Sequence, residues 1–277
     1  MFKIVTNFHN FMIGQHINED FICNLQKQTI FDQTNKLPFY KKIYIIAFFG
    51  TYNAIDYFFM NKTKMLSDRN YIQSLINKNN INDVEQQLKN NKNFKNYIQI
   101  LHQIPIIKEM ELKTDLILND KNDLGNSIVQ YTAGNCWFNV KLSHGFEIDN
   151  YERNIIDNIN LASKLVEPLS EPITLFHGFE NFVDYGNLND LINVKGILSK
   201  TLSINVAKKF AYSTNSLRPK FLVIDYKKGS QHVKLSIRPH DEEFEFLSHS
   251  NETFKIVRTC KFFEGYSLLT FYICEPI

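Results

Sequence analysis

Apolar residues change their spacing partway along the chain. Ile43 to Met60 is rich in apolar residues but is interrupted by Gly50, Asn53 and Asp56, which suits a buried helix better than a membrane span. Tyr71 to Ile76 and Val84 to Leu88 place apolar residues at helix-like intervals in Asn- and Lys-rich surroundings, so residues 1–123 read as a helical region. After the polar stretch Asn119 to Asp123, Ser127 to Phe138 and Tyr151 to Val166 read as helices. In the second, Ile155, Ile156, Ile159, Leu161 and Leu165 supply the apolar stripe and Pro168 closes it. Short segments rich in aromatic or β-branched residues then follow at Ile173–His177, Gly196–Ser199, Phe221–Tyr226, Glu243–Leu247, Phe254–Arg258 and Leu268–Cys274. Asn187–Asn193 and Asn205–Tyr212 interrupt them as expected helices. Helices followed by a run of strands indicate an α+β fold, not a doubly wound sheet.

Composition and charge narrow the picture by exclusion. A net charge of +2 gives no concentrated basic excess for a nucleic-acid partner. Cys23, Cys136, Cys260 and Cys274 lie far apart without a CxxC pair, which argues against a zinc site and against a disulfide framework. The first 14 residues break their apolar positions with Thr6, Asn7, His9 and Asn10, a poor signal-peptide core. No membrane association is indicated, and the expected location is intracellular and cytoplasmic, the cytosol of a host cell included. Only five of the 31 basic residues are arginine, a skew that AT-rich coding produces without selection on function. Ile46–Gly50 followed by Ala54, Ile55, Phe58 and Phe59 resembles the helix pair of an ankyrin repeat, with Val84 and Leu88 as a faint second copy; an ordinary helical hairpin accounts for the same pattern.

Three strings carry candidate chemistry. Leu175-Phe176-His177-Gly178 ends an apolar strand on an imidazole, with a glycine that lets a ligand approach the backbone. Gly196 to Ser203 leaves a strand through the hydroxyls of Ser199 and Thr201 and enters a helix, with Ser203 as the N-cap. In Asp241 to Leu247, a strand period of two puts Glu243 and Glu245 on one face and Phe244 and Phe246 on the other. Like charges side by side on a strand repel, so such a pair suggests use. One carboxylate can stabilise a positively charged transition state while the other handles a nucleophile.

Taken in order, these strings resemble the mono-ADP-ribosyltransferase family, in the toxin-like branch built on an aromatic-Arg-Gly strand, a Ser-Thr-Ser strand and a Glu-x-Glu strand. The resemblance extends over residues 124–277. Ile128–Thr132 is similar to the family's opening helix, Leu202–Ala211 to the helix after the Ser-Thr-Ser strand, and Phe221–Gly229 to the strand and turn ahead of the catalytic loop. It implies a core of two packed antiparallel-rich sheets with flanking helices, NAD as substrate, no metal, and an unidentified target protein as acceptor.

The same resemblance assigns roles. Glu245 would be the catalytic glutamate that binds the 2′-hydroxyl of the nicotinamide ribose, Glu243 would position an arginine acceptor, and Ser199 would brace the site. Gly178 would hold the nicotinamide amide through its backbone, with Phe176, His177 and Thr201 also lining the NAD site. His177 departs from the branch's arginine and resembles the histidine of the diphtheria-toxin and poly(ADP-ribose) polymerase branch, which hydrogen-bonds a ribose hydroxyl. Arginine offers a permanent charge and several donors where histidine offers two at most, so weak NAD affinity is expected. Lys200 stands where the branch has threonine, and Lys200 or Arg218 are the candidates to supply charge to the diphosphate. Two classes of function remain open: a transferase moving ADP-ribose to a protein side chain, or hydrolysing NAD instead, and a catalytically weak or inactive transferase fold serving as an interaction module.

Overall fold

The structure is a computed structural model that describes residues 60–79, 81–90, 99–109, 114, 122–132, 137–179, 191–214, 218–231, 233–234, 243–264 and 267–277. Six helices and eight strands are defined within them. The helices are α1 (Lys62–Asn79), α2 (Asn82–Asn90), α3 (Asn122–Thr132), α4 (Trp137–Ser143), α5 (Asn150–Leu165) and α6 (Ile204–Thr214). The strands are β1 (Ile173–Gly178), β2 (Leu191–Asn193), β3 (Ser199–Thr201), β4 (Lys220–Tyr226), β5 (Val233–Lys234), β6 (Glu245–Leu247), β7 (Thr253–Glu264) and β8 (Ser267–Pro276). The fold is α+β, as the order of elements along the sequence predicts.

Local signals fix the long helix. Asp149 caps α5 by accepting from the Glu152 amide at 2.8 Å, and Glu152 Oε2 accepts from the Asp149 amide at 3.0 Å, a capping box that satisfies two amides the first turn would leave bare. Ile155, Ile156, Ile159 and Ala162 form its buried face, with Val166 just beyond. Leu161 and Leu165, expected in that stripe, are each 43% exposed, because the 3.6-residue period carries positions 155, 159, 162 and 166 along one side and turns 161 and 165 off it.

All eight strands belong to one hydrogen-bonded order, β2-β7-β8-β4-β1-β3-β6-β5. Its connections differ greatly in width. β4 and β8 pair in parallel over five residue pairs and β1 and β4 antiparallel over six, whereas β1 meets β3 through the single pair Phe176↔Thr201. In place of the two packed sheets expected there is one sheet, in which a five-strand part (β2, β7, β8, β4, β1) and a three-strand part (β3, β6, β5) are joined at one residue pair. β2 replaces part of the helix expected over Asn187–Asn193: residues 191–193 pair with Thr253–Lys255, and residues 187–190 lie outside the described residues. Of the helix expected from Ser127 to Phe138, α3 covers the part up to Thr132 and α4 begins at Trp137, and residues 133–136 lie outside the described residues.

Strand alternation sorts the core into two clusters. Leu175, Leu222 and Ile224 point to one side, where they pack with α2, α3, α5 and the phenylalanines Phe244 and Phe246. Phe176, Phe221, Val223 and Phe271 point to the other, against α1 and α6. Residues from before position 123 thus enter both clusters, Ile72 and Leu75 of α1 in one and Val84 and Leu88 of α2 in the other. Polar contacts fasten the same helices. Asp68, 2% exposed, accepts from Arg258 at 2.9 Å and from the Lys261 amide at 3.1 Å; Asn79 donates to the carbonyls of Thr174 and Leu202 at 2.9 and 3.0 Å. Glu85 accepts from Ser203 Oγ and, at 2.6 Å, from Asn205 Nδ2. The first ankyrin-like segment, Ile46 to Phe59, lies outside the described residues. Cys260 and Cys274 are buried free thiols, and no helix among the described residues is long and apolar enough to cross a membrane.

Helix α6 sits directly on β1. A Cβ at Gly178 would lie 2.1 Å from the Ala207 carbonyl oxygen and 2.9 Å from the Ala211 amide, both backbone atoms that cannot rotate aside. Gly178→Ala is therefore expected to destabilise the protein by about 2 kcal/mol or more, in the range of overpacked cores. Gly229→Ala should cost less, because only its φ of +94° opposes a side chain and no atom lies within 4 Å. Urea denaturation of the two variants checks the order, and an equal or reversed ranking would contradict the contact with α6.

Candidate functional site

The site forms where β1, β3 and β6 meet. β3 and β6 run antiparallel in the register Ser199↔Leu247, Lys200↔Phe246, Thr201↔Glu245. Ser199 and Thr201 consequently share the face that carries Glu245, with Ser199 on the diagonal, and Lys200 points the other way. Ser199 Oγ donates to Glu245 Oε1. Thr201 turns its hydroxyl to the Glu243 carbonyl at 2.5 Å and accepts from the Ser203 amide at 3.0 Å, while Ser203 Oγ accepts from the Val206 amide at 3.1 Å as the expected cap of α6. The hydroxyls of this string thus divide between bracing Glu245 and starting a helix.

The two glutamates do not alternate along one strand. β6 begins at Glu245, and Phe244 has φ of +46°, a left-handed conformation uncommon and costly for a bulky residue. This kink ends the period-two pattern that the sequence suggests. Phe244 and Phe246 are both core residues, Glu245 is 8% exposed between them, and Glu243 stands half-buried just ahead of the strand. Burial is the main force raising the Glu245 carboxyl to about 7; the Ser199 hydrogen bond opposes it and the neighbouring Glu243 charge adds to it.

β1 brings the third component. His177 Nδ1 lies 2.8 Å from the Ser199 carbonyl oxygen, so that nitrogen carries the proton and donates. Burial holds the ring down to about 4, with the Ser199 bond opposing and the nearby Lys200 charge assisting, so the imidazole is neutral at pH 7. Gly178 follows on the strand. Its register partner is Phe221, and the amide of Phe179 donates to the Lys220 carbonyl at 3.0 Å. In an antiparallel ladder that alternation turns the N–H and C=O of Gly178 away from β4, toward the side occupied by β3.

Of the residues singled out in the sequence, His177, Ser199 and Glu245 come together directly. Gly178 adjoins them through its backbone, Glu243 acts on Glu245 by charge, and Thr201 lies opposite Glu245 in the ladder. Phe176 goes elsewhere, its ring fully buried in the cluster against α1 and α6 on the far face of β1. Lys200 is also directed away. Its side chain is fully buried and bound to Glu252 at 2.6 Å, so it does not reach the Ser199–Glu245 pair. Tyr226, Ser248 and Glu252, which surround it, escaped the sequence reading, for they lie 26 to 52 positions away and only a lone lysine in a strand hinted at a partner. A second support is Asn139 of α4, whose amide group grips the Ile197 peptide with bonds of 2.9 and 3.0 Å. Gly196 makes room for it, since a Cβ there would lie 2.2 Å from Asn139 Oδ1. Among the described residues no group of three or more His, Cys, Asp or Glu is arranged to hold a metal.

No protein-family profile matches the chain, and no curated protein does. Among solved structures the chain is similar to Exoenzyme S of Pseudomonas aeruginosa, described in complex with human 14-3-3 protein beta and bound to carba-NAD, at 16% identity and a TM-score of 0.46 over 56% of this chain and 74% of that one. It is similar to Plx2a, an ADP-ribosyltransferase toxin from Paenibacillus larvae, at 14% identity and a TM-score of 0.47 over 61% of this chain and 94% of that one. It is also similar to BECa, an ADP-ribosylating toxin of a C. perfringens binary enterotoxin described with NADH, at 18% identity and a TM-score of 0.49 over 63% of this chain and 48% of that one.

The raised carboxyl and the lowered imidazole load stability in opposite directions. Glu245 titrates higher in the folded state, near 7, than the ~4.3 of an unfolded glutamate, so its contribution is full below ~4.3 and is lost as pH rises toward 7. His177 titrates lower, near 4, than the ~6.5 of an unfolded histidine, so its contribution is full above ~6.5 and is lost as pH falls toward 4. Between about pH 4.5 and 6.5 the two slopes oppose each other. Glu245→Gln should expose the His177 slope alone, so that on acidification through this window the variant loses stability relative to the wild type. Urea unfolding at several pH values reads this directly, and parallel profiles for the two proteins would disprove the burial of Glu245.

Proposed function

We propose that the chain is an NAD-dependent mono-ADP-ribosyltransferase that moves ADP-ribose to an arginine side chain of a target protein. The observation that carries this reading is the convergence of His177, Ser199 and Glu245, drawn from three separate strings, at one junction of β1, β3 and β6. Gly178 supports it, with peptide groups turned toward the same junction and able to pair with a carboxamide. The catalytic unit, on this reading, includes α1 and α2 along with residues 124–277, because both helices are built into its core.

Each residue then has a chemical task. Cleavage breaks the bond between nicotinamide and ribose C1′; nicotinamide leaves with the electron pair, and positive charge develops on the sugar. Ionised Glu245 accepts a hydrogen bond from the ribose 2′-hydroxyl and stabilises that charge, more strongly inside the protein than water would allow. Ser199 fixes the carboxylate and favours its ionised form. Neutral His177 takes the place of the histidine that hydrogen-bonds a ribose hydroxyl, its Nδ1 proton committed to the Ser199 carbonyl. Glu243 orients the guanidinium and accepts the proton that its nitrogen gives up on bonding to C1′. Of the groups considered for the NAD diphosphate, His177 is neutral and Lys200 is engaged with Glu252, so that task falls to Arg218.

A second reading, an inactive fold that only docks a partner, draws on His177 and Lys200 as departures from the motifs. The Lys200 part of that case weakens, since the residue has a structural partner. Labelled NAD and a cell lysate separate the possibilities. Transfer of label to protein is expected from the wild type and not from Glu245→Gln, and turnover should rise with pH as the carboxyl ionises near 7. Glu243→Gln should lose transfer while still consuming NAD. Label transfer that survives Glu245→Gln would refute the role given to this carboxylate; NAD consumption without any labelled protein would identify a glycohydrolase.

A further inference from the structure

Lys200 is the middle residue of β3 and its side chain has no exposed surface. Its ammonium donates to the Tyr226 hydroxyl at 2.8 Å, to Glu252 at 2.6 Å and to Ser248 Oγ, which uses all three of its protons. The hydroxyls pass the contact on: Ser248 donates to Glu252 Oε2, and Tyr226 donates to Glu252 Oε1 at 3.0 Å. Burial pulls the lysine downward and Glu252 opposes this, which places the opposite charge where it is needed.

The location of these four residues matters more than the count of their bonds. Tyr226 closes β4, in the five-strand part of the sheet. Lys200 belongs to the three-strand part, and Ser248 and Glu252 bound the segment that leads from β6 to β7. Among the described residues the ladder between the two parts is the single pair Phe176↔Thr201. The site straddles this narrow join, with His177 and Gly178 on one side and Ser199 and Glu245 on the other. Lys200 is thus attached to the far part of the sheet on the face that the register also gives to His177, while its neighbour Ser199 turns to Glu245 on the opposite face.

We propose that Lys200, acting through Tyr226 and Glu252, is a positioning residue that fixes the separation of β1 from β3 and so holds His177 and Gly178 in register with Ser199 and Glu245. The consequence for turnover rests on the transferase reading; the mechanical role does not. A need for geometry accounts for the charge better than a need for stability does, because replacing both partners of a buried ion pair by apolar residues is often neutral or stabilising. A misplacement on the order of 1 Å, by contrast, can cost roughly a hundredfold in rate.

The hydrogen bond from His177 Nδ1 to the Ser199 carbonyl spans the same gap and reports on it without any substrate. In protein labelled with ¹⁵N-histidine, with the His177 signals assigned by their absence in His177→Asn, the wild type should show the Nδ1-protonated tautomer with slow proton exchange. Tyr226→Phe removes the far attachment and keeps the ring; Lys200→Met with Glu252→Leu removes the charges together and leaves neither one stranded. Both proteins are expected to exchange the His177 ring proton about tenfold faster or more, or to populate the other tautomer, while the double variant still melts cooperatively. With NAD, kcat should fall by roughly tenfold or more and KM change little, as for an interaction that orients groups in the transition state. Unchanged His177 tautomer and exchange in Tyr226→Phe would overturn the proposal, whatever the fate of the double variant. A wild type that turns over no NAD would remove the transferase reading alone, since the ring signals still decide the role of Lys200.

Discussion

The pleat of β3 governs the arrangement around it. Three residues long, the strand must present Ser199 and Thr201 to one side and Lys200 to the other, and each side meets a buried carboxylate, Glu245 in one direction and Glu252 in the other. Neither carboxylate can rely on water, so each must find its hydrogen bonds in the protein. Glu245 finds a hydroxyl and remains easy to protonate. Glu252 finds a cation and two hydroxyls. One strand therefore separates a carboxylate that burial keeps easy to protonate from one held in an ion pair.

The sheet distributes rigidity in a related way. Its wide ladders, β7 with β8 and β4 with β8, lie away from the site, and its narrowest connection lies within it. Residues held by long ladders move together, whereas residues on either side of a one-pair junction depend on side chains for their mutual placement. His177 with Ser199 and Lys200 with Tyr226 supply that placement here. Asn139 adds to it from α4 by holding the Ile197 peptide that leads into β3.

Much of this was legible in the sequence. Helix α5, the N-cap at Ser203 and the strands around His177, Phe221 and Leu268 follow from local pattern, and the three candidate strings do converge. What failed locally failed for backbone reasons. A strand period assumes extended residues throughout, and Phe244 is not one, so Glu243 and Glu245 do not lie on a common strand face. Residues 191–193 resemble part of a helical insertion because polar asparagines flank a short apolar core, yet pairing with β7 makes them a strand. The partners of Lys200 were beyond reach for another reason: nothing in a single chain pairs a lysine with residues 26 and 52 positions onward, since only the closed sheet brings them near.

The contact of Glu85 with Ser203 and Asn205 bears on how such a unit could be exchanged between proteins. The motif-bearing stretch starts after position 123, but a carboxylate from α2 answers the very serine that starts α6, the helix pressed against Gly178. Recombination at residue 123 would carry all three motifs into a new context and leave behind the acceptor for Ser203 and Asn205. The folded unit is thus larger than the stretch that carries the three strings, since α2 supplies both core residues and the acceptor for the start of α6.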